Sequence, residues 1–281
     1  MKKLRFCKMS PGGNTTILIT EPFITDKDER VAIAQELLEE QHLHAEQVGF
    51  VSLVGENPKL EMMGGEFCGN AARSMVAFLT LGTSNRESVW RGTIEVSGTD
   101  TYLSAAGEKI SNASVDAEVQ MPIKHSFDTV CLSSWHGEEV AVVAIDGITH
   151  VLLDKSLQPF PDNYKEVAAE IRQSLDLNTL PASGCIWFEE KTNGQIAIDP
   201  VVWVSGTQTT YYETACGSGT VAFGLYQAWR TQSNISLDIL QPSKESISVK
   251  VELNEEINQF KNAWIKGMVK VIAYGTTYIY K

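Results

Sequence analysis

Two cysteines share one local context, and that context suits proton transfer. The first lies in Gly65-Glu66-Phe67-Cys68-Gly69-Asn70-Ala71-Ala72, the second in Tyr212-Glu213-Thr214-Ala215-Cys216-Gly217-Ser218-Gly219-Thr220. Each has an acidic residue, then Cys-Gly-polar-small, then an apolar run. A cysteine at a helix start sits beside unpaired backbone N–H groups and the positive end of the helix dipole. That setting is expected to lower a thiol pKa toward neutrality. The following glycine lets a ligand approach the backbone. The N–H groups of Gly69 and Asn70, and of Gly217 and Ser218, are then candidates to bind a carboxylate. Inverting a carbon centre requires a proton to leave one face and another to arrive on the opposite face. A pair of tuned cysteines can do this as base and acid, exchanging roles for the reverse reaction. Two helix ends aimed at one carboxylate would stabilise charge as it spreads from the α-carbon.

Other chemistries fit less well. Neither cysteine has a Cys-x-x-Cys partner or a histidine at ligand spacing, so zinc and thioredoxin-like redox sites are disfavoured. Gly217-Ser218-Gly219 lacks the Gly-Lys-Ser/Thr ending of a phosphate loop. Cys7, Cys131 and Cys185 fall in strand-like runs and read as small buried hydrophobes. The odd number of widely spaced cysteines points to a reducing cytoplasm.

The elements that must position these residues alternate. Strands are expected at 4–9, 15–20, 48–54 and 59–63, with a helix at 28–42 where Val31, Ala34, Leu37 and Leu38 share a face. Cys68 opens a second helix carrying Ala71, Ala72, Met75, Val76 and Leu79. Residues 89–121 read as strands with glycine-containing turns. The second half repeats this grammar. Strands are expected at 139–145 and 149–153, then a helix at 162–175, then strands at 184–189, 195–198 and 201–204. Cys216 opens the last helix, and strands follow near 235–240, 246–252, 264–272 and 276–280. The matched cysteine motifs lie about one domain length apart, which suggests two similar domains facing each other across a cleft. The boundary is expected near Pro122.

Composition narrows the partners. Lys+Arg total 23 against Asp+Glu 35, a net charge of −12, which disfavours a duplex nucleic acid or an anionic membrane surface. No run approaches the roughly 18 apolar residues of a transmembrane helix. The basic N-terminal segment lacks the apolar stretch of about 7–15 residues that a signal peptide needs.

Taken together, these segments resemble the diaminopimelate epimerase-like racemases over most of the chain. Lys8-Met9-Ser10-Pro11-Gly12-Gly13-Asn14 is similar to that family's opening segment, and Cys68-Gly69-Asn70-Ala71-Ala72-Arg73 to its first catalytic motif. Ala215-Cys216-Gly217-Ser218-Gly219 resembles the second motif, and Tyr274-Gly275-Thr276-Thr277-Tyr278 the closing strand pair. The resemblance implies an α/β (α+β) fold of two pseudo-symmetric domains, each a mixed sheet or barrel around a central helix. It implies an active site between them, with no cofactor, neither pyridoxal phosphate nor metal. It also implies that the last strand returns to the first domain. The domains are therefore expected at 1–122 plus about 272–281, carrying Cys68, and at 123–271, carrying Cys216.

Residue by residue, Cys68 and Cys216 match the acid–base pair, and Gly69, Asn70, Gly217 and Ser218 the carboxylate-binding amides. Asn14 and Gln47 match substrate-facing positions. His150 aligns with a histidine that assists the first cysteine, or is a hydrogen-bonded histidine without catalytic duty. His42, His44, His125 and His136 read as surface residues.

Departures from the epimerase pattern bear on the substrate. Gly206-Thr207-Gln208-Thr209-Thr210-Tyr211-Tyr212 lacks the arginine that holds a distal amino-acid end. Glu61-Met62-Met63-Gly64-Gly65 lacks an asparagine, and Cys185 and Ile148 stand where two more are expected. A site without those groups cannot select a second carboxylate and ammonium by hydrogen bonding in the same way. These departures, with Glu46-Gln47-Val48-Gly49-Phe50, Glu66-Phe67-Cys68-Gly69-Asn70-Ala71 and Tyr212-Glu213-Thr214-Ala215-Cys216, resemble the bacterial histidine racemases. An imidazole wants a polar partner and an apolar wall. Glu46, Gln47 and Glu213 are candidate partners. Phe67, Tyr211 and Tyr212 are candidate walls, with core packing as their other reading. Glu213 is either a carboxylate that helps Cys216 cycle its proton or an acidic residue near a helix start. The expected activity is therefore cofactor-independent racemisation of L- and D-histidine, an isomerase reaction on a small-molecule amino acid. Diaminopimelate epimerisation and non-catalytic amino-acid binding are the alternatives, and a homodimer is compatible with either.

Overall fold

The computed structural model describes residues 1–83, 87–206, 208–254, 256 and 258–280. The chain begins β1 (Lys2–Pro11), β2 (Thr16–Glu21), α1 (Lys27–Leu38), β3 (Gln47–Ser52), β4 (Lys59–Met62), α2 (Gly69–Leu81). It continues β5 (Val89–Val96), β6 (Leu103–Ser111), β7 (Ser114–Gln120), β8 (Val130–Trp135), β9 (Glu138–Ile145), β10 (Ile148–Asp154), α3 (Tyr164–Ser174). It ends β11 (Ala182–Glu190), β12 (Ile196–Val204), β13 (Thr209–Tyr212), α4 (Gly217–Thr231), β14 (Ile235–Leu240), β15 (Ser246–Asn254), β16 (Gln259–Ile279). Two compact units result, one of Met1–Gln120 with Lys266–Lys281 and one of Met121–Ile265; Lys281 itself lies outside the described residues.

The first unit is a closed barrel of mixed strands. β2 runs parallel to β3 and β4 parallel to β5, while the other neighbours are antiparallel. β16 pairs with β7 on one side and β1 on the other, which closes the sheet and removes its edges. The parallel pairs need crossovers, and α1 and α2 supply them. Asp26 caps α1 by accepting from the Glu29 amide at 2.8 Å. That helix covers Leu4, Ile17, Ile19, Val48 and Phe50 with Ile33, Ala34 and Leu37. α2 is buried on nearly every side, and Ala71, Ala72, Met75, Val76 and Ala77 are all fully inaccessible. It packs against strands from β1 to β7. A helix apolar over most of its surface belongs in such a position, and its buried Asn70, Arg73, Ser74 and Thr80 are hydrogen-bonded.

The second unit repeats the grammar. β10 is parallel to β11 and β12 to β14, with α3 and α4 as the crossover helices. α3 packs on β11 and β12 around Val151, Leu153, Ile171 and Trp187. α4 packs on β8, β9, β10, β14 and β15.

Several local expectations change. The first helix stops at Leu38 rather than 42, because Glu39 turns extended (ψ 139°) and His44 adopts φ 49°, returning its amide to the Leu37 carbonyl at 3.1 Å. The third helix is Tyr164–Ser174, inside the expected 162–175. The expected pairs 195–198 with 201–204, and 264–272 with 276–280, are single strands. Pro200 remains in β12 opposite Ile186, and Tyr274 and Gly275 remain paired to Cys7 and Phe6. β13 was not anticipated, and β8 only as the strand-like run around Cys131. β16 enters the first unit at Lys266, earlier than the expected 272.

Candidate active site

Cys68 is the N-cap of α2, extended at φ −138° and ψ 112°, and its sulfur accepts from the Ala71 amide at 3.4 Å. The first helical hydrogen bond runs from the Ala72 amide to the Cys68 carbonyl at 2.9 Å. The Gly69 and Asn70 amides therefore precede the helical ladder, as a ligand-binding helix start requires. The entry into this turn is shaped from outside. The Ser97 hydroxyl donates to the Glu66 carbonyl at 2.8 Å, and a Cβ on Gly98 (φ 78°) would lie 2.2 Å from the Phe67 nitrogen. Only glycine allows that backbone and that approach.

A chain of polar groups leads to Cys68. The sulfur donates to Gln47 Oε1 at 2.7 Å, and Gln47 Nε2 donates to Asn14 Oδ1 at 2.5 Å and Thr16 Oγ1 at 3.0 Å. Asn14 Nδ2 donates to Glu46 Oε2 at 2.6 Å. Glu46, Asn14, Gln47 and Cys68 are thus joined, although they come from three places in the sequence. Asn14 is buried and spends both ends of its amide on Glu46 and Gln47, so it orients the neighbours of Cys68. Asn70 Oδ1 accepts from Arg73 Nη2 at 2.7 Å.

Cys216 caps α4 in the same manner, at φ −122° and ψ 103°, with its sulfur accepting from the Gly219 amide at 3.2 Å. A Cβ on Gly219 would lie 2.7 Å from Ile186 Cδ1 and 3.1 Å from the sulfur, so a side chain there would crowd both. Unlike Cys68, Cys216 is fully buried. Burial raises its thiol pKa well above the usual value, and the hydrogen-bonded Glu213 carboxylate raises it further, against smaller opposing effects of Ser218 and the Gly219 amide. This corrects the expectation that a helix start would bring this thiol toward neutrality. Desolvation and the neighbouring Glu213 carboxylate set the direction.

His150 is fully inaccessible on β10, facing Gly184 of β11, where a Cβ would lie 2.3 Å from Nδ1. Its Nε2 is 3.0 Å from Ser218 Oγ, which is 3.5 Å from Cys216 Sγ. The expected link was to the first cysteine; the contact it makes is with the second motif, in its own unit. Burial lowers its pKa to about 3, so the imidazole is neutral. Gln241, unremarked in the sequence, accepts from the Cys216 amide at 2.9 Å and donates to Thr220 Oγ1 at 3.0 Å.

The remaining residues sort by burial. Cys7 and Cys185 are buried thiols pushed up to about 11 and about 12. Cys131 is exposed, because it falls on an outward position of β8; the buried reading is corrected. His44, His125 and His136 are exposed, whereas His42 is half-buried with Nε2 3.3 Å from the Tyr278 carbonyl. Tyr211 and Tyr212 are exposed on β13, and Tyr212 donates to Asp199 and packs on Phe160 and Tyr164. Thr207, in the stretch that lacks arginine, lies outside the described residues. Among the described residues no cluster of three or more His, Cys, Asp or Glu is placed to hold a metal ion. No helix among them is long and apolar enough to cross a membrane.

Solved structures share this mixed α/β fold. A hydroxyproline epimerase from Agrobacterium vitis has a TM-score of 0.70 at 11% identity, covering 99% of this chain and 91% of that one. A probable proline racemase from Agrobacterium radiobacter K84 has a TM-score of 0.68 at 13% identity, with 99% and 93% covered. A phenazine biosynthesis protein PhzF family member from Enterococcus faecalis has a TM-score of 0.58 at 13% identity, with 99% and 100% covered. Over residues 3–278 the chain matches the family described as histidine racemase CntK N-terminal domain, and it belongs to that family. A histidine racemase of Fusobacterium nucleatum is 28% identical over 283 residues, 98% of this chain and 97% of that protein. A histidine racemase of Staphylococcus aureus is 26% identical over 282 residues, 98% of each. The chain is an isomerase of the amino-acid racemase class.

Proposed function

We propose that this racemase interconverts L- and D-histidine without a cofactor, with Cys68 and Cys216 as the two proton-transfer groups. One sulfur, as thiolate, removes the α-proton, and the other, as thiol, delivers a proton to the opposite face. The opposite enantiomer uses them in reverse. The observation that carries this is the repeated geometry. Each cysteine caps a crossover helix, accepts from the amide three residues on, and has its own polar partner. The amides of Gly69, Asn70, Gly217 and Ser218 are assigned to the substrate carboxylate, where helix starts would stabilise the charge that develops. Glu213 and neutral His150, through Ser218, steer the Cys216 proton. Glu46 and Gln47 supply the polar end for an imidazole, and Asn14 holds them. The two compact units are taken as the two pseudo-symmetric domains of a diaminopimelate epimerase-like enzyme, each sheet wrapped on its cysteine-capped helix. Reduced sulfurs suit a cytoplasmic enzyme.

The test is incubation with L-histidine in D₂O, following loss of the α-proton signal and of optical rotation, with diaminopimelate in parallel. Exchange with inversion on histidine supports the reading. Binding without exchange overturns it, and preference for diaminopimelate overturns the substrate. Cys68→Ser and Cys216→Ser should each lower the rate by about 10²–10⁴-fold. Near-normal turnover in either removes the two-base assignment.

A further inference from the structure

Arg73 lies on α2, inside the barrel of the first unit, and is fully inaccessible. Its Nη2 donates to Asn70 Oδ1 at 2.7 Å and to the Pro11 carbonyl at 3.2 Å. Both acceptors are neutral. Nε and Nη1, also buried, find no hydrogen-bond partner among the described residues. A buried cation braced only by neutral groups is costly unless an anion lies near. Two groups able to carry negative charge act on Arg73, Cys68 more strongly than Asp116. Asp116 is half-buried on β7, between the inward-facing Val115 and Ala117, and is ion-paired with Lys266 at 3.0 Å. Cys7 on β1 is a buried thiol held neutral by desolvation. The anion that answers Arg73 is therefore the one Cys68 can become. In the second unit the corresponding sulfur faces the Glu213 carboxylate, with no arginine acting on it among the described residues.

We infer that Arg73 is a positioning residue that sets where the proton rests, holding Cys68 as the thiolate while Cys216 beside Glu213 keeps its hydrogen. This rests on the two-cysteine reading above. The thiolate keeps the Ala71 amide as its donor at 3.4 Å, whereas Gln47 Oε1, held in place by the bonds of Gln47 Nε2 to Asn14 and Thr16, accepts from the thiol. Arg73 also ties the helix start to the Pro11 carbonyl, and so to the loop that carries Asn14.

Peptide-resolved alkylation with iodoacetamide between pH 5 and 10 tests this without substrate, so its outcome is independent of the exchange assay. In the unaltered protein the reaction midpoint of Cys68 should lie below that of Cys216 and below the ordinary thiol value of about 8.5. Arg73→Gln should raise the Cys68 midpoint by about one pH unit or more, a roughly tenfold loss of reactivity at pH 7. Arg73→Lys, which keeps the charge, should restore most of it, and the Cys216 profile should not move. An unmoved Cys68 profile in a folded Arg73→Gln protein, or equal loss in both variants, overturns the inference. Should Arg73→Gln fail to fold, the unaltered protein decides: a Cys68 midpoint below about 8.5 and below that of Cys216 supports the inference, and one at or above either overturns it.

Discussion

Burial holds His150 neutral in the native protein, and that has a consequence for stability. Its folded pKa, about 3, lies below the unfolded value near 6.5. Below pH 6.5 the unfolded chain binds a proton that the folded one refuses, so stability present at neutral pH is lost on acidification toward pH 3. Between pH 7 and pH 5 the expected loss is about 2 kcal/mol. Urea titrations at the two pH values measure it, and His150→Asn should flatten that part of the profile; an unchanged slope would show that His150 does not couple to folding. The same side chain shows where reading residues in order stops. Cys68 and Cys216 were legible because each carries its context on consecutive residues. Gln241 was not, since its bond to the Cys216 amide joins positions far apart in the chain. Neither were Ser97 and Gly98, whose role exists only once β5 delivers them to Phe67. The contact of His150 with Ser218 was out of reach for the same reason: tertiary folding brings the two together.

At the scale of elements, the two cysteine helices had the plainest signatures, because a buried helix with a distinctive cap writes itself locally. Strand interruptions were the poorest guide. Asp199-Pro200 looked like a break in β12, yet the Pro200 carbonyl still accepts from the Glu213 amide at 3.0 Å and so carries β13 toward Cys216. Proline lacks only the donor. The placement of α2 depends on close approach as much as on its apolar face. A Cβ on Gly107 of β6 would lie 2.1 Å from Thr80 Oγ1, and that hydroxyl donates to the Val76 carbonyl at 2.7 Å. Gly107→Ala should therefore cost about 1–3 kcal/mol by forcing the helix or the hydroxyl aside. The double variant Gly107→Ala/Thr80→Ala should recover part of it. Denaturant melts of the four proteins give the coupling, and strict additivity would mean that the contact does not limit packing.

For the whole molecule, the internal repeat was visible in the matched motifs and reappears as matched topology, with β2, β3, β4 and β5 answered by β10, β11, β12 and β14. What the repeat could not reveal is how the ends are assigned. β16 leaves the second unit at Ile265 and supplies the stave between β7 and β1 in the first. A chain ending at Ile265 should keep slow hydrogen exchange in β9 to β15 and lose it in β1 to β7; protection throughout would show that the barrel closes without that stave. On the ribosome this makes maturation non-vectorial. The segment bearing Cys68 leaves the exit tunnel long before the strand that completes its barrel, and must wait with two sheet edges open until residues 266–279 follow. Chaperone binding and translation speed across the second unit would then govern how much of the first sulfur's environment forms correctly.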